Sequence, residues 1–430
     1  MLIEFRVKNF LSFKEQVTFS LLASNPDSKL DKEYPENIFE TSYPNIKLLR
    51  SAVVYGANAS GKTNLFLAMQ FAQKLILTSH ALNPESLLHS HPFSLDENSR
   101  ESPTSFDFVF IHENLRYTYG FSIARGKIAE EYLYAYPKNR KKIFFERFEE
   151  SKYRFIKNKK KQKEISEKTR NNSLYLSVAA QWNYEDASKP FEWFNNILKS
   201  VIKRDDDIKD QFFFYTARLS YENQKIKNFI EQNLKKADIG IESFDIKIAD
   251  SQSTEKIYQK FPPSLQAILK DPNNQLQAFQ VKMLHKAINS EGKEFATSLD
   301  ISQESSGTEK FFACLGPWID VLMNGYVLFI DELDTRLHPM LTQYLIEMFH
   351  NPEINRKNAQ LLFNTYNTHL LSADILRRDQ VWFTEKRKDG STDLYSLLEY
   401  SPRKSENLEK GYLQGRYGAI PCLGGPFSWD

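Results

Sequence analysis

The sequence has few cysteines, no long apolar run and almost no net charge, and each shortage excludes a class of protein. Its two cysteines, Cys314 and Cys422, cannot build a disulfide framework and are too few for a structural zinc site. No apolar stretch is long enough to span a bilayer, and the first thirty residues contain no signal-peptide pattern. We therefore expect a cytoplasmic protein without a membrane partner.

The net charge does not by itself indicate a nucleic-acid binder, because 57 basic residues are balanced by 55 acidic ones and the net charge is only +2. Two dense basic stretches, at 140–142 and 157–163, are the local exceptions. If both flank the same hairpin, they form one positive patch that could neutralise phosphates. The alternative is that they are solvated loops that discourage pairing at the edge of a sheet.

Glycine is also scarce, with 15 in the chain, yet two glycines stand five residues apart between an apolar strand and a helical pattern. This Gly-x-x-x-x-Gly-Lys-Thr spacing is typical of a phosphate-binding loop, and it predicts an α/β fold of the P-loop NTPase class. The predicted nucleotide-binding residues are Gly56, Ala57, Asn58, Ala59, Ser60, Gly61, Lys62, Thr63 and Asn64.

The chemistry of the loop explains its spacing. Its glycines allow successive backbone N–H groups to point at phosphate oxygens, and the helix that begins at Lys62 adds its positive end. Lys62 would reach the β- and γ-phosphates, and the Thr63 hydroxyl would be a ligand of Mg²⁺. ATP and Mg²⁺ are therefore the expected ligands.

A second part of the site is predicted where an apolar strand, residues 327–330, runs into Asp331 and Glu332. Carboxylates at the end of a buried strand are where chemistry occurs in open α/β sheets. Asp331 would hold Mg²⁺ and Glu332 would polarise the attacking water. Asp-Glu after a strand is also common as an ordinary helix cap, but beside a phosphate loop the catalytic interpretation is favoured.

Glu304 and the small residues 305–308 begin an amphipathic helix about twenty residues before the acidic pair. A helix start of this kind can present backbone amides to an anion, or it can be capped by Ser305 or Ser306 with nothing bound.

The remaining pattern predicts a hairpin near the start, a β-meander over residues 106–156 added to the nucleotide-binding sheet, and helices between 190 and 234. We expect Phe194, Leu198 and Val201 on one helical face that begins near Pro190. The predicted division is 1–185 and 296–430 as two halves of an ATPase head, with 186–295 as a mostly helical insertion.

Taken together, the motifs resemble an ABC-type ATPase head of the SMC and RecF kind. Within that class they are similar to AAA-family ATPases of bacterial abortive-infection and restriction-linked operons, of the RloA, AbiLi and AriA type. The resemblance spans nearly the whole chain. The phosphate loop comes early in the chain, and the signature motif, residues 305–308, and the strand that ends in the acidic pair come late. It is carried by the hairpin Ile3 to Phe13, the phosphate loop, 91–96, 305–308, 330–334, 337–339 and the tail 412–421.

The resemblance implies that Ser305 and Gly307 contact the γ-phosphate bound to a second copy, so that two heads close over two nucleotides. It also implies that residues 337–339 lie at that dimer interface. The family usually has a histidine where this sequence has Tyr366, and His369 follows three residues later. Because tyrosine cannot carry a positive charge near neutral pH, turnover would be slow unless His369 replaces it.

The chain continues only about fifty residues beyond Val381, which is too little for a nuclease domain like that of related proteins. We therefore expect an ATPase sensor of an antiphage system that responds to a phage trigger and controls a separate nuclease-like effector. One alternative is a DNA-repair or chromosome-maintenance head. Another is a nucleotide-gated scaffold with little hydrolysis.

Overall fold

The computed structural model describes residues 1–24, 32, 34–43, 45–149, 151–202, 205–237, 240–249, 278–372, 374–402 and 406–421. The chain forms two compact units. The first comprises Met1–Ile202, Gly325–Leu333 and Ile346–Asp430, and the second comprises Lys203–Asn324 and Asp334–Leu345. Cys314 is buried in the second unit, whereas Cys422 lies outside the described residues.

Eighteen strands are found in the described part of the chain. They are β1 (Leu2–Lys8), β2 (Val17–Ser20), β3 (Ile38–Glu40), β4 (Lys47–Leu49), β5 (Ser51–Gly56), β6 (Thr104–His112), β7 (Leu115–Ala124), β8 (Lys127–Ala135), β9 (Lys142–Phe148), β10 (Lys152–Phe155), β11 (Leu198–Val201), β12 (Ile241–Ile248), β13 (Phe279–Ile288), β14 (Glu294–Asp300), β15 (Val327–Ile330), β16 (Gln360–Asn364), β17 (Val381–Lys386) and β18 (Thr392–Ser396).

The α-helices of the same residues number ten. They are α1 (Lys62–Thr78), α2 (Glu97–Glu101), α3 (Lys159–Glu167), α4 (Tyr175–Gln181), α5 (Glu185–Glu192), α6 (Asp205–Glu222), α7 (Gln224–Lys236), α8 (Ser306–Asn324), α9 (Pro339–His350) and α10 (Leu408–Leu413). No helix among the described residues is both long enough and apolar enough to cross a membrane.

The first unit contains a six-stranded sheet in the order β11-β15-β16-β5-β17-β18, parallel except for β18. Its central strands are continuously apolar because parallel strands are covered on both faces; all six residues of β5 are buried. This confirms the predicted α/β class. It also brings the phosphate loop and the acidic pair to the same edge, since parallel strands end on the same side.

A seven-stranded antiparallel sheet in the order β10-β9-β8-β7-β6-β1-β2 forms the other sheet layer of the first unit. The predicted hairpin and meander are confirmed, but the meander does not add to the nucleotide-binding sheet. It extends the hairpin instead, because β6 pairs with β1 from Leu2 to Lys8. Alternating burial along β6 gives this sheet one apolar face.

A buried amide links the six-stranded and seven-stranded sheets of the first unit. Gln360 of β16 accepts a hydrogen bond from the Leu2 N–H at 2.7 Å and donates to the carbonyls of Leu2 and Leu49 at 3.1 and 3.2 Å. Around it lies a large core in which Phe66 of α1 stacks on Phe329 of β15, with ring centroids 6.1 Å apart. Because the backbone N–H and C=O of Leu2 both bond to Gln360, the start of β1 is fixed on β16.

One predicted helix is wrong in its second half. The helix over these residues is α5, which begins at Glu185 and carries Pro190 inside rather than in its first turn. Leu198–Val201 is strand β11, paired in parallel with β15 next to the acidic residues. A four-residue segment with apolar residues only at its ends, Leu198 and Val201, fits either a helix face or a strand, and pairing with β15 decides the outcome here.

The second unit is more mixed than the predicted mostly helical insertion. Helix α7 confirms a helix in the last part of the predicted region 190–234, and it buries Ile230 and Leu234. However, β12, β13 and β14 form a three-stranded antiparallel sheet. Burial alternates at the start of β13, where Phe279, Val281 and Met283 are buried, but β12 buries only Ile241 and Phe244 and β14 buries no side chain. The apolar pattern of a strand is therefore clear in one of the three strands.

Candidate functional site

The predicted phosphate loop lies between β5 and α1. A side chain at Gly56 would place its Cβ within 2.5 Å of Ser60 Oγ and of the Thr384 carbonyl oxygen. Gly61 adopts a φ of +108°, in the left-handed region that disfavours side chains, directly before α1 begins. The two glycines are thus required by the shape of the loop.

Several side chains outside the motif support the loop from behind. Ser60 Oγ lies 2.7 Å from Thr384 Oγ1 of β17, and Thr392 Oγ1 of β18 donates to the Ser60 carbonyl at 2.8 Å. Asn64 Nδ2 of α1 donates to Ser12 Oγ at 2.8 Å. These contacts hold the loop on three sides, which is the preorganisation that phosphate binding by backbone N–H groups needs.

Lys62, the first residue of α1, is buried, with 5% of its surface exposed. Its Nζ donates to the carbonyls of Gly56 and Ala57 at 2.7 and 3.0 Å. It also lies 4.0 Å from the centroid of the Tyr366 ring, a cation–π contact. The ammonium group is therefore held at the mouth of the loop.

The two predicted Mg²⁺ ligands meet although 268 residues separate them. The Thr63 hydroxyl lies 3.1 and 3.2 Å from the two carboxylate oxygens of Asp331, which follows β15. A hydroxyl and a carboxylate are the hard oxygen ligands that Mg²⁺ prefers. The residues present thus fit a magnesium ion bound next to the phosphates.

Asn364, at the end of β16, orients both acidic residues. Its Nδ2 donates to Asp331 Oδ1, and its Oδ1 accepts the backbone N–H of Glu332 at 2.6 Å. Glu332 itself is exposed and has a left-handed φ of +52°, which costs a non-glycine residue free energy and is common at functional sites. Asn364 is fully buried.

We expect Asn364→Ala to lower the free energy of unfolding by about 1–3 kcal/mol, because the part-buried Asp331 carboxylate and Glu332 backbone N–H lose their amide partner. The variant should also need more Mg²⁺ for half-maximal ATP hydrolysis. Urea denaturation and a Mg²⁺ titration of phosphate release measure the two effects. Asn228→Ala, on the surface of α7, is the matched control. Unchanged stability and Mg²⁺ dependence would contradict the orienting role.

The structure brings Tyr366, rather than His369, to the phosphate-loop lysine. Tyr366 is 50% exposed with Lys62 against its ring. His369 is exposed on the short 3-10 helix Thr368–Leu371, and its Nδ1 lies 3.5 Å from Ser372 Oγ of the next turn. The part played by either residue in catalysis stays a prediction.

The predicted signature residues belong to the second unit. Ser305 Oγ accepts the backbone N–H of Thr308 at 3.1 Å and so caps α8. A Cβ on Gly307 would lie 3.2 Å from the Arg336 carbonyl oxygen, so the start of α8 and the segment after the acidic pair are closely packed. Contact of Ser305 and Gly307 with the nucleotide of a second copy stays a prediction.

The tail motif noted in the sequence lies beside the phosphate loop. A cavity of about 620 Å³ is lined by the loop, the Tyr366 segment, the end of β17 and the tail residues 412, 413 and 419–421. Thr368 Oγ1 donates to Glu409 Oε1 of α10 at 2.7 Å, and the rings of Tyr55 and Tyr412 lie 5.6 Å apart. The C-terminal residues therefore pack against β5, which precedes the phosphate loop, and against the segment that follows Tyr366.

The parallel sheet, the supported phosphate loop and the Thr63–Asp331 pair define an α/β nucleotide-binding protein of the P-loop NTPase class. Residues 51–372, three-quarters of the chain, match the family model described as "AAA domain, putative AbiEii toxin, Type IV TA system". The chain belongs to this AAA family.

Comparison with solved structures gives distant likenesses. The crystal structure of the SmcHead bound to the C-winged helix domain of ScpA has a TM-score of 0.41 and 12% identity, covering 92% of this chain and 97% of that one. The SMC head domain from Thermotoga maritima has a TM-score of 0.38 and 12% identity, covering 92% and 98%. No curated protein sequence matches this chain significantly.

Proposed function

We propose that this protein is an Mg²⁺-dependent ATPase whose hydrolysis cycle serves as a switch. The observation that carries the proposal is the 3.1 Å distance between Thr63 Oγ1 and Asp331 Oδ1, since a hydroxyl and a carboxylate that meet beside a phosphate loop are suited to hold Mg²⁺. The loop N–H groups and Lys62 would bind the β- and γ-phosphates. Thr63 and Asp331 would hold Mg²⁺, which neutralises charge on the phosphates when bound. Glu332 would orient the attacking water.

We further propose that the switch is the sensor of an antiphage, abortive-infection system. The description of the family as a toxin–antitoxin component and the RloA, AbiLi and AriA resemblance support this role. In it, two or more copies close over ATP through Ser305, Gly307 and residues 337–339. When the protein senses a phage-derived trigger, it holds or releases a separate, nuclease-like effector in the cytoplasm.

A second candidate is a nucleotide-gated scaffold with little hydrolysis. The contact between Tyr366 and Lys62 favours it, because a neutral ring stands where a charged histidine would assist turnover. In such a protein ATP binding alone would hold the dimer, and the acidic pair would matter less for function.

A phage-challenge assay tests the proposal in bacteria that carry this gene with its neighbours. We expect wild type to reduce plaque formation, Asp331→Asn to abolish protection, and Asp245→Asn, an exposed change in β12, to protect normally. Protection retained by both Asp331→Asn and Glu332→Gln would contradict the ATPase switch and favour the scaffold. Sensitivity to DNA damage without any effect on phage would favour the repair alternative and overturn the defence role.

A further inference from the structure

The two basic stretches noted in the sequence come together at one end of the β9–β10 hairpin. Phe155, the last residue of β10, pairs with Phe145, so the antiparallel register brings the residues after 155 beside the start of β9. Gln162 of α3 donates to the carbonyls of Phe144 and Lys157 at 3.4 and 2.7 Å, fixing α3 on the same end. The resulting basic surface consists of Arg140, Lys141, Lys142, Lys157, Lys159, Lys160, Lys161, Lys163 and Lys168.

The charge of this surface is not neutralised by its surroundings. Residues 157–170 contain seven basic side chains against Glu164 and Glu167. No lysine of α3 forms an ion pair with any residue that the structure describes. Four of the first five residues of α3 are lysines, at the positive end of its dipole where anions are favoured. A bound polyanion would relieve this repulsion.

An aromatic residue lies beside these charges. Trp182, at the end of α4, is 50% exposed, and Lys168 Nζ lies 3.6 Å from its ring centroid. Nearby, Lys161 Nζ lies 5.6 Å from the Tyr184 ring. Lysines that bind phosphates, next to an exposed indole on which a base can stack, are the two elements of a single-stranded nucleic-acid site.

Protection of the sheet edge does not account for these lysines. The edge strand β10 carries its own charges, Lys152 and Arg154, which pair with Glu149 and Glu146. The additional lysines lie on a helix that follows the strand, so they cannot block pairing along it.

We propose that the basic surface binds single-stranded nucleic acid, with the lysines of α3 on the phosphates and Trp182 stacked on a base. A single strand fits better than a duplex because a duplex offers no unstacked base to the indole. This binding is a further activity of the first unit and does not depend on ATP.

The test measures fluorescence anisotropy of labelled 20-nucleotide dT and U strands, and of a hairpin duplex, against the full-length protein. Three variants are compared: Lys159, Lys160 and Lys161 all to Ala; Trp182→Ala; and, as a control with the same charge loss on α7, Lys225, Lys235 and Lys236 all to Ala. We expect the α3 triple variant to lower the slope of log affinity against log salt by about 2 for single strands. Trp182→Ala should weaken binding about tenfold with the slope unchanged.

Preference for U over dT, or the reverse, would assign the strand as RNA or DNA and supports the proposal either way. Absence of binding by wild type at low salt would overturn it. So would equal losses in the α3 and α7 triple variants, or equal binding of duplex and single strand without any effect of Trp182→Ala. Circular dichroism of each variant confirms that it is folded.

Discussion

Glu332→Gln should reduce ATP hydrolysis by about 10²–10⁴-fold while nucleotide binding is retained. The carboxylate is the only feature that changes, because the backbone N–H of residue 332 keeps its bond to Asn364 and Gln fits the same space. With hydrolysis blocked, the ATP-bound dimer should live longer. Phosphate release measures the first effect, and light scattering with ATP and Mg²⁺ measures the second.

Glu353→Gln, an exposed change just after α9, removes the same charge and should leave both readouts at the wild-type level. Equal turnover by wild type and Glu332→Gln would show that another group orients the water. If neither protein dimerises with ATP, the proposed sharing of nucleotides between two copies is wrong. Very slow turnover by wild type itself would support the scaffold.

Lys62→Ala should nearly abolish ATP binding. Its buried ammonium group is held at the mouth of the loop, and removing a buried partner of a phosphate costs about 2–5 kcal/mol, or roughly 30- to 5,000-fold in affinity. Calorimetric titration with ATP and Mg²⁺ measures the affinity. In thermal melts, saturating ATP should raise the Tm of wild type but not that of the variant.

The control is Lys74→Ala, an exposed position on the same helix, which should bind ATP and gain thermal stability as wild type does. Circular dichroism without nucleotide separates loss of binding from loss of folding. If the Lys62→Ala protein is folded and binds ATP with wild-type affinity, this lysine does not bind the phosphates.

The parts of the site that could be predicted are contiguous in the chain. The loop from Gly56 to Asn64 and the strand before Asp331 each carry their signal within a few residues, because a turn and a buried strand have local requirements. Both motifs lie at the end of parallel strands, so their meeting also follows from the α/β class.

The supporting residues could not be predicted from spacing, since they come together only through the fold. Thr392 and Ser12 meet behind the loop from opposite ends of the chain, 380 residues apart. Asn364 had a usable signal: it ends a strand next to the acidic strand in a parallel sheet, where polar side chains face the ligand. Strand β11 was missed because its four residues have no periodicity long enough to identify it.

The position of β5 in its sheet has a consequence for synthesis of the protein. This strand lies between β16 and β17, and a contact with the latter spans 329 residues: Thr384 Oγ1 of β17 donates to the Tyr55 carbonyl of β5 at 3.3 Å. A ribosome that adds 5–20 residues per second leaves the emerged strand without neighbours for roughly 15–65 s. A nascent chain should therefore be unable to bind nucleotide, and should require chaperones, until strand β17 has been synthesised.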